Sequence, residues 1–150
     1  MEIVIKEIFE KVNQTLASIG KRVKDVDFEN VVLSSGQIDL ISWYIKDSLS
    51  TLVSKSHGVF YGLSKKSDSF DISFKRTDGD DSEETIGENL KSYVIDYCLF
   101  RIFSLNGLDK FMKTYYDLSD SKCNDLMYYL MKKDIPNEDS KLSGTTGSCV

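Results

Sequence analysis

Proline is nearly absent from this sequence, with one residue, Pro136, in 150. Proline removes a backbone donor and clashes inside helices, so its scarcity leaves long helices uninterrupted. Histidine is equally rare: His57 stands alone. A Ser–His or Cys–His catalytic pair would have to use it, yet it lies between Ser56 and Gly58, where a helix is expected to end. A cation there suits the helix dipole, and that reading is preferred to catalysis. Three cysteines are present, Cys98, Cys123 and Cys149. An odd count without a C-x-x-C pair argues against a disulfide framework and a zinc site. Cys98 and Cys123 sit in helical stretches and read as small buried hydrophobes, with a reducing compartment as the simplest setting. An excess of basic residues is also lacking, since the net charge is −5 and Lys21, Arg22 and Lys24 are followed by Asp25. Without a basic face to displace counterions, direct DNA or RNA binding is not expected. No apolar run reaches the roughly 18–20 residues that span a bilayer. The start, MEIVIKEIFEK, is amphipathic and carries acids early, unlike a signal peptide. No membrane partner is expected.

What is present describes one globular domain: 41% hydrophobic, 29% charged and 11% aromatic residues. A domain of this length buries roughly 70% of its unfolded surface and needs no staples. Ile5, Ile8, Phe9, Val12, Leu16 and Ile19 recur at helical spacing, and Gly20 is the expected stop. Val31, Val32 and Leu33 read as a short extended piece. Ser34 or Ser35 can cap a second helix, in which Ile38, Ile41, Ile45, Leu49 and Leu52 share a face and Trp43 and Tyr44 widen it. That helix should end near Ser56, with Gly58 closing it. The period then changes, because Phe70, Ile72 and Phe74 alternate with Asp71, Ser73 and Lys75. With Val59 to Leu63 as partner and Lys65–Ser69 as turn, a two-stranded hairpin is expected at about residues 58–78. The acids from Asp80 to Glu84 supply a cap and first turn for a third helix. Its apolar positions begin at Ile86, Leu90, Tyr93, Val94 and Tyr97. They become continuous at Cys98, Leu99, Phe100, Ile102 and Phe103, as in a helix buried on several sides. Asn106 and Gly107 break the chain before a fourth helix, with Leu108, Phe111, Met112, Tyr115, Leu118, Leu126, Met127 and Leu130 on its buried stripe. It ends at Ile135 and Pro136. The fold class is mainly α: about four helices with a β-hairpin arm in a domain spanning residues 1–136, then a flexible tail over residues 137–150 rich in Ser, Gly and Thr.

The candidate chemical sites each have a plainer reading. Asp78, Asp80, Asp81, Glu83 and Glu84 lack the alternating spacing of a calcium loop, and a capped helix start accounts for them. No Gly-rich phosphate loop, nucleophile elbow or H-E-x-x-H stretch occurs. Tyr93, Tyr97, Tyr115, Tyr116, Tyr128 and Tyr129 lie at helical spacing and read as core with hydroxyls reaching water, although they could face a base or a partner. The terminal Ser148–Cys149–Val150 fits the short pattern that PDZ domains take, but Cys149 is misplaced for prenylation. No catalytic, cofactor or metal residues are therefore expected, and the chain is not read as an enzyme.

The stretch LKSYVIDYCLFRIFSLNGLDKFMKTYYDLSDSKCNDLMYYLMKKDIP resembles the C-terminal half of phage head–tail connector proteins. These are small adaptor subunits that ring the portal, found in many phages and prophages of gut Bacteroidetes, including crAss-like phages. Tyr93, Val94, Leu99, Ile102, Phe103, Tyr115, Lys132, Lys133 and Pro136 occupy comparable places. FENVVLSSGQIDLISWYIKDSLSTL is similar to that family's second helix and its lead-in, so the resemblance covers about two-thirds of the chain. It departs from the pattern at Ile102, where an aromatic is common, and at Lys132–Lys133, where the family often has several arginines.

The resemblance implies a structural subunit of the virion neck. Its copies would form a ring, expected to be dodecameric, between the portal protein and another neck or tail protein, with DNA passing through non-specifically. A ring needs one patch on each subunit to meet a different patch on the next. The hairpin and tail are the expected contacts, through Phe60, Phe70, Phe74, Leu142 and Val150. The alternative is a small intracellular helical adaptor that binds one protein partner. A species that stays monomeric at every concentration favours that alternative.

Overall fold

The computed structural model describes residues 1–23, 33–75 and 83–131. The chain opens with a strand, β1 (Glu2–Val4), that runs directly into helix α1 (Ile5–Val23). Ile5, Ile8, Val12, Leu16 and Ile19 are all buried on α1. The helix continues past Gly20, which is not among the glycines of positive φ, so glycine does not stop it as the sequence suggested. Val31 and Val32 lie outside the described residues. Leu33 is buried and held on both backbone groups by Asn13, whose Nδ2 donates to its carbonyl and whose Oδ1 accepts from its amide, each at 3.0 Å.

A 3-10 turn, Ser35–Gln37, leads into α2 (Ile38–Lys55). The Ser34 amide donates to the Gln37 side chain at 2.9 Å, but the N-cap of α2 is Gln37, without a side-chain cap bond, and not Ser34 or Ser35 as the sequence suggested. Ile41, Tyr44, Ile45, Ser48, Leu49 and Leu52 form the buried face. Trp43 does not widen that face. At 100° per residue it falls opposite Ile41, Ile45 and Leu52, and it is 64% exposed. The helix ends at Ser56, whose amide donates to Leu52. His57 and Gly58 then take positive φ values of 51° and 89° and turn the chain.

Strands β2 (Phe60–Lys65) and β3 (Ser69–Phe74) form the expected antiparallel hairpin. The hairpin is not a projecting pair. β1 adds to the other side of β3, giving a three-stranded antiparallel sheet in the order β1-β3-β2. Ile3 faces Phe70 across β1 and β3, and Phe60 faces Phe74 across β2 and β3. The Met1 ammonium donates to the Ile72 carbonyl at 2.8 Å and pairs with Asp71 at 3.2 Å, which fastens the end of β1. A register shift between Tyr61 and Ser64 coincides with Gly62 at φ 66°, a conformation glycine tolerates. Ile3, Phe60, Phe70 and Ile72 are buried in the same core as the helices, so one sheet face is part of the domain interior.

Helix α3 (Glu83–Leu105) is the central element. It buries Ile86, Leu90, Tyr93, Val94, Tyr97, Cys98, Leu99, Ile102 and Phe103, covering most of its circumference, as the continuous apolar stretch predicted. At its end Gly107 adopts φ 70°, the Leu108 amide donates to Phe103, and the Gly107 amide donates to Ser104. This left-handed cap makes the chain break expected at Asn106–Gly107. Helix α4 (Asp109–Met131) returns along α3. Phe103 stacks on Phe111 and Tyr115 with centroids 5.3 and 5.4 Å apart, and Phe100 meets Tyr116 edge-on. Cys123, Leu126, Met127 and Leu130 complete the contact. Leu118, placed on this stripe by its spacing, is exposed instead.

Candidate protein interface

Some of the buried polar groups of the described residues join one element to another, while the Ser48 and Ser119 hydroxyls donate within their own helices to the carbonyls of Ile45 and Tyr116. The Tyr93 hydroxyl donates to the Ser48 carbonyl at 2.8 Å and ties α3 to α2. Burial pushes the Tyr93 phenol well above its ordinary value, with smaller contributions from Tyr97, Cys98 and Asp120. Asp96 on α3 is ion-paired with Lys122 on α4, and the Lys122 ammonium also donates to Ser92 at 2.6 Å. Burial raises the Asp96 carboxyl above the usual range, while the Lys122 bond opposes that rise. Ser56 accepts from the Phe60 amide at 3.0 Å, which fixes the path from α2 into β2. The Ser69 hydroxyl is buried with no hydrogen-bond partner.

These groups hold the domain together and do not converge into an acid, a base and a nucleophile. His57 is exposed in the turn after α2. Among the described residues no group of three or more His, Cys, Asp or Glu side chains is placed to hold a metal ion. Glu83 and Glu84 occupy the first turn of α3, and the acids at 78, 80 and 81 lie outside the described residues. The Cys98 thiol is free, fully buried and pushed up by that burial, which makes it unreactive. Cys123 is buried and disulfide-bonded, contrary to the expectation that it is an unpaired thiol. Among the described residues no helix is long and apolar enough to cross a membrane.

The residues expected to grip a partner are placed differently from the sequence reading. Phe60 and Phe70 are buried in this chain's own core, so their rings offer no surface to a neighbour. Phe74 is half-buried, with its ring 6.0 Å from that of Phe60. Leu142 and Val150 lie outside the described residues. The aromatic set divides: Tyr93 and Tyr97 are buried, Tyr115 and Tyr116 are half-buried, and Tyr128 is 52% exposed.

Large apolar side chains do reach solvent elsewhere, at Trp43, Tyr61, Leu105, Leu118 and Tyr128. Trp43 lies under the Lys46 ammonium, which is 5.5 Å from the ring centroid. Beside it on α3, Arg101 stands 5.1 Å over the Tyr44 ring and 3.6 Å from Asp47. The pairs Tyr44–Arg101 and Ser48–Tyr93 set α2 and α3 antiparallel, so one turn beyond Tyr44 and Arg101 come Leu40 and Leu105. Leu105 is 67% exposed. An exposed Trp with Arg and Leu close by has the composition of an interface anchor. Helical geometry would have found Trp43 in the sequence, because a 3.6-residue period puts it on the polar side of α2. Leu105 carried no such signal, since its exposure follows from the end of α3. No family model, curated protein or solved structure matches this chain.

Proposed function

We propose that this chain is a non-enzymatic structural subunit of a tailed-phage neck, forming a homo-oligomeric ring between the portal and the next tail component. The observation that carries the reading is the division between a filled interior and exposed anchors. Tyr93, Asp96 and Ser56 use their polar atoms to join one element to another, whereas Trp43, Leu105 and Tyr128 stand more than half exposed. Large exposed apolar side chains beside charged ones mark contact surfaces. The resemblance of the α3–α4 sequence to connector subunits supplies the particular setting. A net charge of −5 suits a channel wall past which DNA slides without sticking. In this reading the partners are further copies of the chain, a portal protein and a neck or tail protein, in the virion after assembly in the host cytoplasm. DNA makes only non-specific contact.

Electron microscopy of the chain mixed with its portal tests the proposal. A ring of added density on the portal's tail-facing end is the expected image. Bare portals at saturating concentrations of the chain would reject it.

A further inference from the structure

Trp43 is left 64% exposed, and the helix face around it carries charges of both signs. At 100° per residue Asp39, Trp43 and Lys46 fall within about 60° of one another on α2, and all three are exposed. Asp39 and Lys46 stand two turns apart, about 10 Å along the axis, too far to pair within one chain. Among the described residues neither has an ion-pair partner. On the flank of this stripe Asp47 and Arg101 are 3.6 Å apart and offset one another. The face therefore has no net charge, on a chain whose net charge is −5, and two copies can meet there without net repulsion.

Trp43 lies next to the midpoint between Asp39 and Lys46, so the stripe has an aromatic centre with an acid on one side and a cation on the other. A face of that kind is complementary to itself. We infer that α2 of one copy docks antiparallel on α2 of a second copy, about a two-fold axis beside Trp43. The axis reverses the second helix, so Lys46 of each copy stands opposite Asp39 of the other. The two indoles meet at the centre, each with its own Lys46 ammonium on the ring. Exposed ion pairs contribute little, so the charges set partner and register while the indoles supply the anchor. One patch meets itself, and the contact closes at two copies. A ring needs two different patches, so this pairing goes beyond the ring reading and describes the chain before it reaches a portal.

Two charge reversals in the full chain test this, Asp39→Lys and Lys46→Glu. Both sites are exposed, so each variant should keep the wild-type circular dichroism and melting profile. Light scattering after size exclusion is then read for the wild type, each variant alone and an equimolar mixture. The wild type is expected at twice the 17.1 kDa subunit mass. Each variant alone should be monomeric, because its stripe then carries charge of one sign. The mixture should return to twice 17.1 kDa with one copy of each variant, since one stripe is then wholly basic and the other wholly acidic. Both reversals in one chain should restore pairing of that chain with itself, and Trp43→Glu should abolish it. A wild type that is monomeric at every concentration, variants that assemble like the wild type, or a mixture that stays monomeric would overturn the pairing. None of these results decides whether the chain forms a ring on a portal, which the images of that complex test separately.

Discussion

Tyr93 illustrates how single side chains set the stability of this domain. Its phenol is buried, and its hydroxyl is spent on a carbonyl of α2. Tyr93→Phe keeps the ring and removes the bond, at a cost of about 1 kcal/mol, because the Ser48 carbonyl already accepts a helical bond. The phenol also makes stability depend on alkaline pH. Its folded pKa is raised, so its contribution is fully present below the unfolded value of about 10 and is lost as pH rises beyond it. Denaturant titrations at increasing pH should show an alkaline loss of stability in the wild type that is smaller in Tyr93→Phe. Asp96 has the same sign at the acid end. Its carboxyl is raised by burial, so its contribution is complete below about pH 4 and declines as pH rises through its raised folded value. Lys122 limits that decline. Lys122→Met strips the buried carboxylate of its cation and should cost about 2–3 kcal/mol near neutral pH, with much of the loss recovered in acid. An equal loss at pH 4 and pH 7 would contradict this assignment.

At the scale of elements, the turn between α2 and β2 holds His57 in left-handed backbone, which favours glycine. His57→Gly should raise thermal stability by about 0.5–1 kcal/mol, measured by calorimetry, with no loss of assembly. The sheet gives a sharper test. Because Phe60, Phe70 and Ile72 are core residues, deleting residues 58–78 should abolish cooperative unfolding and not merely trim an arm. A deletion variant that still melts cooperatively would return the hairpin to the surface. The helices and the β2–β3 alternation were legible in the sequence because each repeats a period several times. β1 was not, since three residues are too few to show alternation and its apolar positions merge with those of α1. Gly20 misled because a glycine ends a helix only where the chain must turn, and here the helix continues to Val23.

The whole molecule was legible as mainly α with a small antiparallel sheet, but its surface was only partly so. Periodicity locates the spine of an apolar stripe, whereas the neighbours that pack on it set its width. Leu118 was therefore assigned inward, and Phe60 and Phe70 outward, against what the packing gives. Exposed Trp43 could have been read from its angle on α2. Sedimentation velocity of the full chain over a hundredfold range of concentration tests the central claim most directly, namely that the closed interior leaves the outer faces to bind further copies. The account predicts growth from the 17.1 kDa subunit to one discrete closed assembly. A single 17.1 kDa species throughout would contradict it.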